Sequence, residues 1–271
     1  MNKLDILRCP ICRGNIALKG NSFECGSRHT FDIAKSGYVN LNVRDSAAGD
    51  SKEMVRARSS FLDQGYYSPF ADKLVETVKS LPHEAVVDAG CGEGYYSVRI
   101  AKEAGSGLFG FDLSRAAVIK AAKRACAAHA DASFFVGGIF DLPIKDESVD
   151  VVLNLFAPCA HEEFLRVLKP EGHLIMGIAG ENHLLGLKSA LYSEVYLNNP
   201  EKLTDIEGFT RIKTDRVSYK TVIEGKEQIE NLFSMTPYYW KSSRRDADKL
   251  RELNVLETEL DFEVVIFQKN R

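Results

Sequence analysis

Nowhere do the 271 residues contain an apolar run near the roughly 20 residues that a membrane-spanning helix needs. The opening MNKLDILRCP has neither the apolar stretch nor the small-residue cleavage site of a secretory signal. No membrane partner and a cytoplasmic location are the expectation. A surplus of positive charge is missing too. Lys plus Arg number 35 against 38 Asp plus Glu, a formal net charge of -3, so any polyanion-binding surface must be local. Cysteine is scarce, and six residues in this length cannot build a disulfide scaffold. What is left is an ordinary globular mixture, 45% hydrophobic and 27% charged, enough for one large domain with an appendage or two modest ones.

The scarce cysteines are unevenly placed. Cys9, Cys12 and Cys25 crowd near the start with His29, which points to metal rather than oxidation. Residues 1–36, punctuated by Gly14, Gly20 and Gly26, read as a small metal-stapled module. Residues 37–70 lack strand alternation and read as a connecting arm with one helix, marked by Met54, Val55, Phe61 and Leu62. The remainder, 71–271, is a regular series. Strands are expected at 85–90, 107–112, 132–137, 149–156 and 172–178, with helices between them and two late strands near 210–219 and 258–268. Almost continuously apolar strands alternating with helices predict an α/β, doubly wound, mostly parallel sheet covered on both faces. The late strands would add an antiparallel edge.

Asp88-Ala-Gly90-Cys-Gly92-Glu-Gly94 ends the first strand of that series and opens a helix. Glycines there permit a tight turn and close approach of the backbone to a ligand. A dinucleotide loop reads G-x-G-x-x-G/A, whereas here the third glycine comes one residue early and Tyr95 follows. Asp88 and Glu93 would repel a pyrophosphate but suit a cationic amino or sulfonium group. Asp112, closing the next strand, stands where an acid accepts both ribose hydroxyls.

The turn resembles the D-x-G-C-G-x-G signature of S-adenosylmethionine-dependent methyltransferases of the seven-stranded class. That resemblance implies a seven-stranded Rossmann-like sheet and S-adenosyl-L-methionine held by Asp88, Gly90, Gly92, Gly94 and Asp112. It also implies adenine against Gly137 and Gly138, with the strand end Asn154-Leu-Phe-Ala-Pro-Cys159 facing the methyl group. The [DNS]-P-P-[YF] tetrapeptide of exocyclic-amine methyltransferases is lacking there, which argues against methylation of an adenine or cytosine amino group. Pro158-Cys159 leaves a C5-pyrimidine nucleophile as a further reading.

Cys9-x2-Cys12-x12-Cys25-x3-His29 has zinc-finger spacing, and four protein ligands make a structural rather than a catalytic zinc site. A core of some thirty residues needs such a staple. The module carries Lys3, Arg8, Arg13, Lys19, Arg28 and Lys35 against Asp5, Glu24 and Asp32. That local positive balance suits polyphosphate contact, although a solvated or protein-docking ribbon surface would look the same.

These ligands precede His29-Thr-Phe-Asp-Ile-Ala-Lys-Ser-Gly-Tyr-Val-Asn40, Gly49-Asp-Ser51, Arg58 and Phe61-Leu-Asp-Gln-Gly-Tyr-Tyr67. The glycine turn with Tyr95-Tyr96, Ala157-Pro-Cys159, Leu165-Arg-Val-Leu-Lys-Pro170, His183-Leu, Leu187-Lys188 and Met235-Thr-Pro237 follow in order. In that order the chain resembles the RlmA family of bacterial 23S ribosomal RNA guanine-N1 methyltransferases, over nearly its whole length. The resemblance implies zinc on Cys9, Cys12, Cys25 and His29, cofactor contacts from Tyr67, Tyr96, Ser97 and His183, a hairpin of 23S ribosomal RNA as substrate, and a homodimer.

Guanine N1 bears a proton on the pairing edge, so the base must be unpaired and the proton removed. Asn154, Phe156 and Asp50 are the catalytic candidates, with Asn154 also a candidate cofactor contact. Asp63 and Asp141 are further possible acceptors, and Phe156 and Tyr66 are candidate stacking platforms. Phosphate contacts are expected from the zinc module, from Arg44, Lys52, Arg56 and Arg58, and from Lys241, Arg244, Arg245 and Lys249. Spacings of four align Lys52 with Arg56, Lys241 with Arg245, and Arg245 with Lys249 on helix faces. Two other functions fit the motifs: a small-molecule methyltransferase with an accessory zinc module, and a zinc-dependent adaptor with a decayed core.

Overall fold

The computed structural model describes residues 3–43, 49–200 and 205–270; Arg44 lies outside them. Three short strands, β1 (Ile16–Lys19), β2 (Ser22–Cys25) and β3 (Thr30–Asp32), pair antiparallel into a ribbon. The chain continues through β4 (Val39–Asn40), α1 (Lys52–Leu62) and α2 (Ser68–Lys79). Strand and helix then alternate through β5 (Ala85–Ala89), α3 (Tyr95–Ala104), β6 (Gly107–Asp112), α4 (Arg115–Ala128), β7 (Ala132–Val136), β8 (Val149–Leu155), α5 (His161–Val167) and β9 (Leu168–Ala179). The last part supplies α6 (Leu185–Leu191), β10 (Phe209–Glu224), α7 (Lys226–Ser234), α8 (Tyr238–Lys241), α9 (Arg244–Arg251) and β11 (Val255–Lys269).

One sheet runs in the order β10-β11-β9-β8-β5-β6-β7-β4. From β4 to β9 the pairs are parallel, and β11 and β10 extend the sheet antiparallel. Strand order reverses between β5 and β8, so the crevice that binds ligands in such sheets opens at the carboxyl ends of β5, β6 and β8. Seven strands match those expected from the sequence. The eighth, β4, comes from the segment expected to be only a connecting arm, and its two residues are too few to show alternation.

Local signals set the helix ends around the crevice. Ser51 caps α1 by accepting the Met54 N–H at 3.2 Å, and Ser114 caps α4 by accepting that of Ala117 at 3.3 Å. Gly94 and Gly105, both left-handed, bound α3. No helix of the described residues is long and apolar enough to cross a membrane.

Alternation along the strands builds a core on each face of the sheet, with a smaller cluster of Cys91, Val98, Val118, Ala121, Phe134 and Val136 beside α3 and α4. Val86, Leu108, Leu153, Ile175 and Phe262 face one side, packed with Phe70, Leu74, Leu187 and Leu232 from the helices. Val87, Phe109, Phe111 and Phe135 face the other, where they meet Phe23 and Phe31 of the ribbon and Ile6 and Leu7 from the segment before it. Among the described residues no helix lies between β7 and β8, and the ribbon takes that place in the layer. The Arg8 N–H donates to the Pro143 carbonyl at 2.9 Å, and ion pairs join Arg8 to Asp146 and Arg13 to Asp141. The metal module expected as an appendage is thus part of the main core. Burying Phe23 and Phe31 there contributes about 1.5–3 kcal/mol each.

Candidate methyl-donor site and metal centre

The glycine turn leaves β5 at the crevice with Gly90, Gly92 and Gly94 all at positive φ. A Cβ on Gly90 would stand 2.7 Å from Ala157 Cβ, and one on Gly94 would stand 2.7 and 2.9 Å from Ala121 of α4. Glycine is therefore required for packing at both ends of the turn. Asp88 is buried, and its Oδ2 accepts the Ser97 hydroxyl at 2.6 Å while Oδ1 has no partner among the described residues. Burial pushes its carboxyl up to about 7, against the downward pull of Ser97. Asp112 accepts the Gly92 N–H at 3.0 Å and the Ser114 N–H at 2.7 Å, which fixes it beside the turn; burial raises its pKa and these N–H groups oppose that. Gly137 and Gly138 follow β7 next to it, with the Gly137 N–H on the Asp112 carbonyl at 3.0 Å.

Not every acid expected here faces a ligand. Glu93 is buried, accepts the Ser59 hydroxyl at 3.0 Å and is ion-paired with Arg124, which also holds Asp63. The Glu93 contacts all fall on Oε2, while Oε1 has no partner among the described residues. Ser97 spends its hydroxyl on Asp88.

An aromatic wall closes the other side. Tyr67 and His183 are both buried, with Tyr67 Oη 3.4 Å from His183 Nε2. His183 Nδ1 accepts the Asp261 N–H at 3.2 Å, which assigns its proton to Nε2 and hence a bond toward Tyr67. Burial holds that imidazole down to about 4, aided by Lys188, so it is neutral at physiological pH. Phe70, Tyr96, Phe156 and Phe262 form the rest of the wall, with centroids 4.5–6.4 Å apart. Phe262 and Phe70 gave no sign in the sequence of lying here, because strand and helix core residues are apolar anyway.

Beyond the wall is a cleft of about 320 Å³ lined by Asn154, Phe156, Pro158, Cys159, Met176 and Ile178. Phe156 is 48% exposed and has φ +55, a left-handed conformation that costs a non-glycine residue on the order of 1 kcal/mol. Asn154 is buried; its Nδ2 donates to the Pro158 carbonyl at 3.0 Å, and its Oδ1 has no partner among the described residues. Burial raises the Cys159 thiol, which disfavours the thiolate that C5-pyrimidine chemistry needs. Asp50, Asp63 and Asp141 are all in ion pairs, with Arg58, Arg124 and Arg13. Tyr66 stacks on Phe61 at 4.9 Å and is packed rather than free to take a base.

At the metal centre the ligand atoms of Cys9, Cys12, Cys25 and His29 lie within 4.8 Å of one another. Zinc bonds of about 2.3 Å to sulfur and 2.0–2.1 Å to nitrogen give tetrahedral edges of roughly 3.8 Å between thiolates and 3.5 Å between thiolate and imidazole. The observed edges are 3.7 Å for Cys12–Cys25, 3.5 Å for Cys9–His29 and 3.4 Å for Cys25–His29. These three edges have zinc dimensions, and with all four ligand atoms gathered within 4.8 Å the residues present suit a structural zinc. Each chelating turn has an arginine at positive φ, Arg13 directly after Cys12 and Arg28 directly before His29. Since Arg8 and Arg13 are paired with Asp146 and Asp141 of the connection between β7 and β8 and Lys19 with Glu24, the module is less basic at its surface than its composition implies.

The basic groups expected on helices are only partly aligned. Lys52 and Arg56 lie together on α1 and line a shallow cleft of about 420 Å³ with Lys120. Lys241 is in α8, separated from α9 by Ser242 and Ser243, so it does not share a face with Arg245. Lys249 is paired with Asp246.

Comparison with known proteins agrees with this geometry. Residues 80–235 match the methyltransferase domain family, and residues 7–42 match the family described as RlmA, N-terminal. The chain is 36% identical over 198 residues to the 23S rRNA (guanine(748)-N(1))-methyltransferase of Streptomyces fradiae, covering 70% of this chain and 69% of that one. It is 30% identical over 280 residues to YxjB of Bacillus subtilis strain 168, named for 23S rRNA (guanine-N(1)-)-methyltransferase activity, with 97% of each chain covered. Among solved structures, the MccD protein superposes with a TM-score of 0.51 over 74% of this chain and 98% of its own, at 18% identity, which shows the shared fold.

Proposed function

The chain belongs to the RlmA family of 23S ribosomal RNA (guanine-N1)-methyltransferases, and on that premise we propose that it methylates N1 of a guanine in a hairpin of 23S ribosomal RNA. The observation that carries this reading is the fusion of a Cys3His ribbon with the sheet that presents the acid-flanked glycine turn, two halves sharing one core. The donor fits the turn: glycines leave room for it, Asp88 keeps a buried oxygen with no partner among the described residues, and Asp112 is held in place beside the turn. When bound, S-adenosylmethionine supplies a methyl group on a sulfonium, open to in-line displacement. The protein's part is then to position the base and exclude water.

A guanine must leave its pair to expose N1. Phe156, exposed at the mouth of the 320 Å³ cleft, supplies a stacking face. Asn154 Oδ1, buried and without a partner among the described residues, accepts an exocyclic N–H of the flipped guanine and so selects it, leaving N1 turned toward the donor once its proton has gone to solvent. Asp50 is assigned elsewhere, since its carboxylate is held in an ion pair by Arg58. Tyr67 and His183 form the buried wall that keeps water from the methyl group, and Tyr96 completes it. The adenine lies against Gly137 and Gly138. Residues 1–36 form the zinc-binding RNA-recognition module, 37–70 the connecting arm and 71–271 the catalytic unit, and the working form is a homodimer, as the family resemblance implies. Nucleoside mass spectrometry of 23S ribosomal RNA after incubation with the chain and donor tests the reading: 1-methylguanosine must appear, and a reaction confined to small molecules refutes it.

A further inference from the structure

Gly49-Asp50-Ser51 has no part in the chemistry above, yet the segment is fixed against the donor turn. Gly49 has φ +110, and a Cβ there would stand 2.8–3.0 Å from Ser114 N, Cβ and Cα. The Ser114 hydroxyl donates to the Asp50 carbonyl at 2.7 Å, and Ser51 caps α1. The segment thus ties α1 to the end of β6. Two turns along α1, Arg58 forms an ion pair with the Asp50 carboxylate. Its Nη1 lies 3.7 Å from where a Cβ on Gly92 would stand, at the position where the turn leaves space for a ligand. Around that space are the acids Asp88 and Asp112, while Arg124 is taken by Glu93 and Asp63. Among the described residues Asp50 is the ion-pair partner of Arg58.

We propose that Arg58 is the clamp for the carboxylate of the donor's methionine moiety, aimed across Gly92 by Asp50. This rests on the methyltransferase reading. The donor is a zwitterion: its sulfonium and ammonium suit an acidic turn, but its carboxylate set among acids needs a cationic fork of N–H donors. A guanidinium has five N–H donors, and bonding Asp50 through Nη1 leaves others for a second carboxylate.

Calorimetry on the full zinc-loaded chain with two ligands tests the clamp. S-adenosylhomocysteine carries the carboxylate, whereas 5′-methylthioadenosine keeps the adenosine and thioether but lacks the amino acid. Arg58→Ala should weaken S-adenosylhomocysteine at least about tenfold and leave 5′-methylthioadenosine within about twofold, the loss expected for one charge-assisted contact. Arg58→Lys should fall between. Equal weakening of both ligands would make Arg58 a prop of the turn, and an unchanged S-adenosylhomocysteine affinity would remove the contact; either overturns the clamp. A wild-type chain that binds neither ligand removes the methyltransferase reading itself, so the two failures are distinguishable.

Discussion

Asp88 shows how one buried carboxyl links stability to ligand charge. With its pKa raised from 3.8 to about 7 by burial, the folded chain holds one more proton than the unfolded chain between those values. Its contribution to stability is fully present below the unfolded pKa and is lost as pH rises through about 7. A cationic ligand has the opposite preference, because it favours the ionised form. S-adenosylhomocysteine, with its ammonium, should therefore bind more tightly at pH 8 than at pH 6, and Asp88→Asn should flatten that slope in calorimetry while reducing the loss of stability over the same window. A slope that persists unchanged in the variant would assign it to another group, with Asp112 next in line. The places of Asp88 and Asp112 were legible because strand ends, glycines and acids are local patterns. The partners of Asp50, Asp63 and Asp141 were not, since the arginines that hold the latter two lie 61 and 128 positions away in the chain. Sequence alone left them as free acids, and the fold pairs each with an arginine.

The same division runs through the elements. The alternating pattern located the core strands of the sheet to within a few residues, since apolar runs between turn glycines are set by the chain itself. It missed β4 and the placement of the ribbon, which depend on where a distant surface happens to be bare. The turn and the ribbon each carry a prediction. Gly94→Ala would put a methyl group 2.7–2.9 Å from Ala121 at a left-handed φ of 80. It should cost about 1–3 kcal/mol by urea denaturation, with a matching loss of cofactor affinity; an unaffected midpoint would mean that α3 and α4 are not tightly packed there. Removing zinc should destabilise more than the ribbon, because Phe23 and Phe31 cover Phe109, Phe111 and Phe135. Chelation should lower the thermal midpoint of the whole cooperative transition and expose apolar surface to a dye. Loss of the ribbon alone, with the sheet's transition unmoved, would restore the picture of an appendage.

Across the whole molecule, a net charge of -3 requires that RNA be met by local clusters. Lys52, Arg56 and Lys120 frame one such cleft, and Arg244 and Arg245 stand near the chain's one tryptophan, Trp240, which is 70% exposed. Replacing Lys52 and Arg56 together by alanine should weaken hairpin binding and reduce the slope of log affinity against log salt by about 1–2. Quenching of Trp240 fluorescence gives the readout, and an unchanged slope would clear this cleft of RNA contact. The central claim, that a methyl donor beside the glycine turn serves a guanine N1 presented with the help of the ribbon, is tested most directly by reverse transcription. A methyl group on N1 blocks base pairing, so 23S ribosomal RNA incubated with the chain and S-adenosylmethionine should stop the transcriptase one nucleotide before a hairpin guanine, and should not when the donor is left out. Full-length products under both conditions, with the donor bound and consumed on another substrate, would contradict the account.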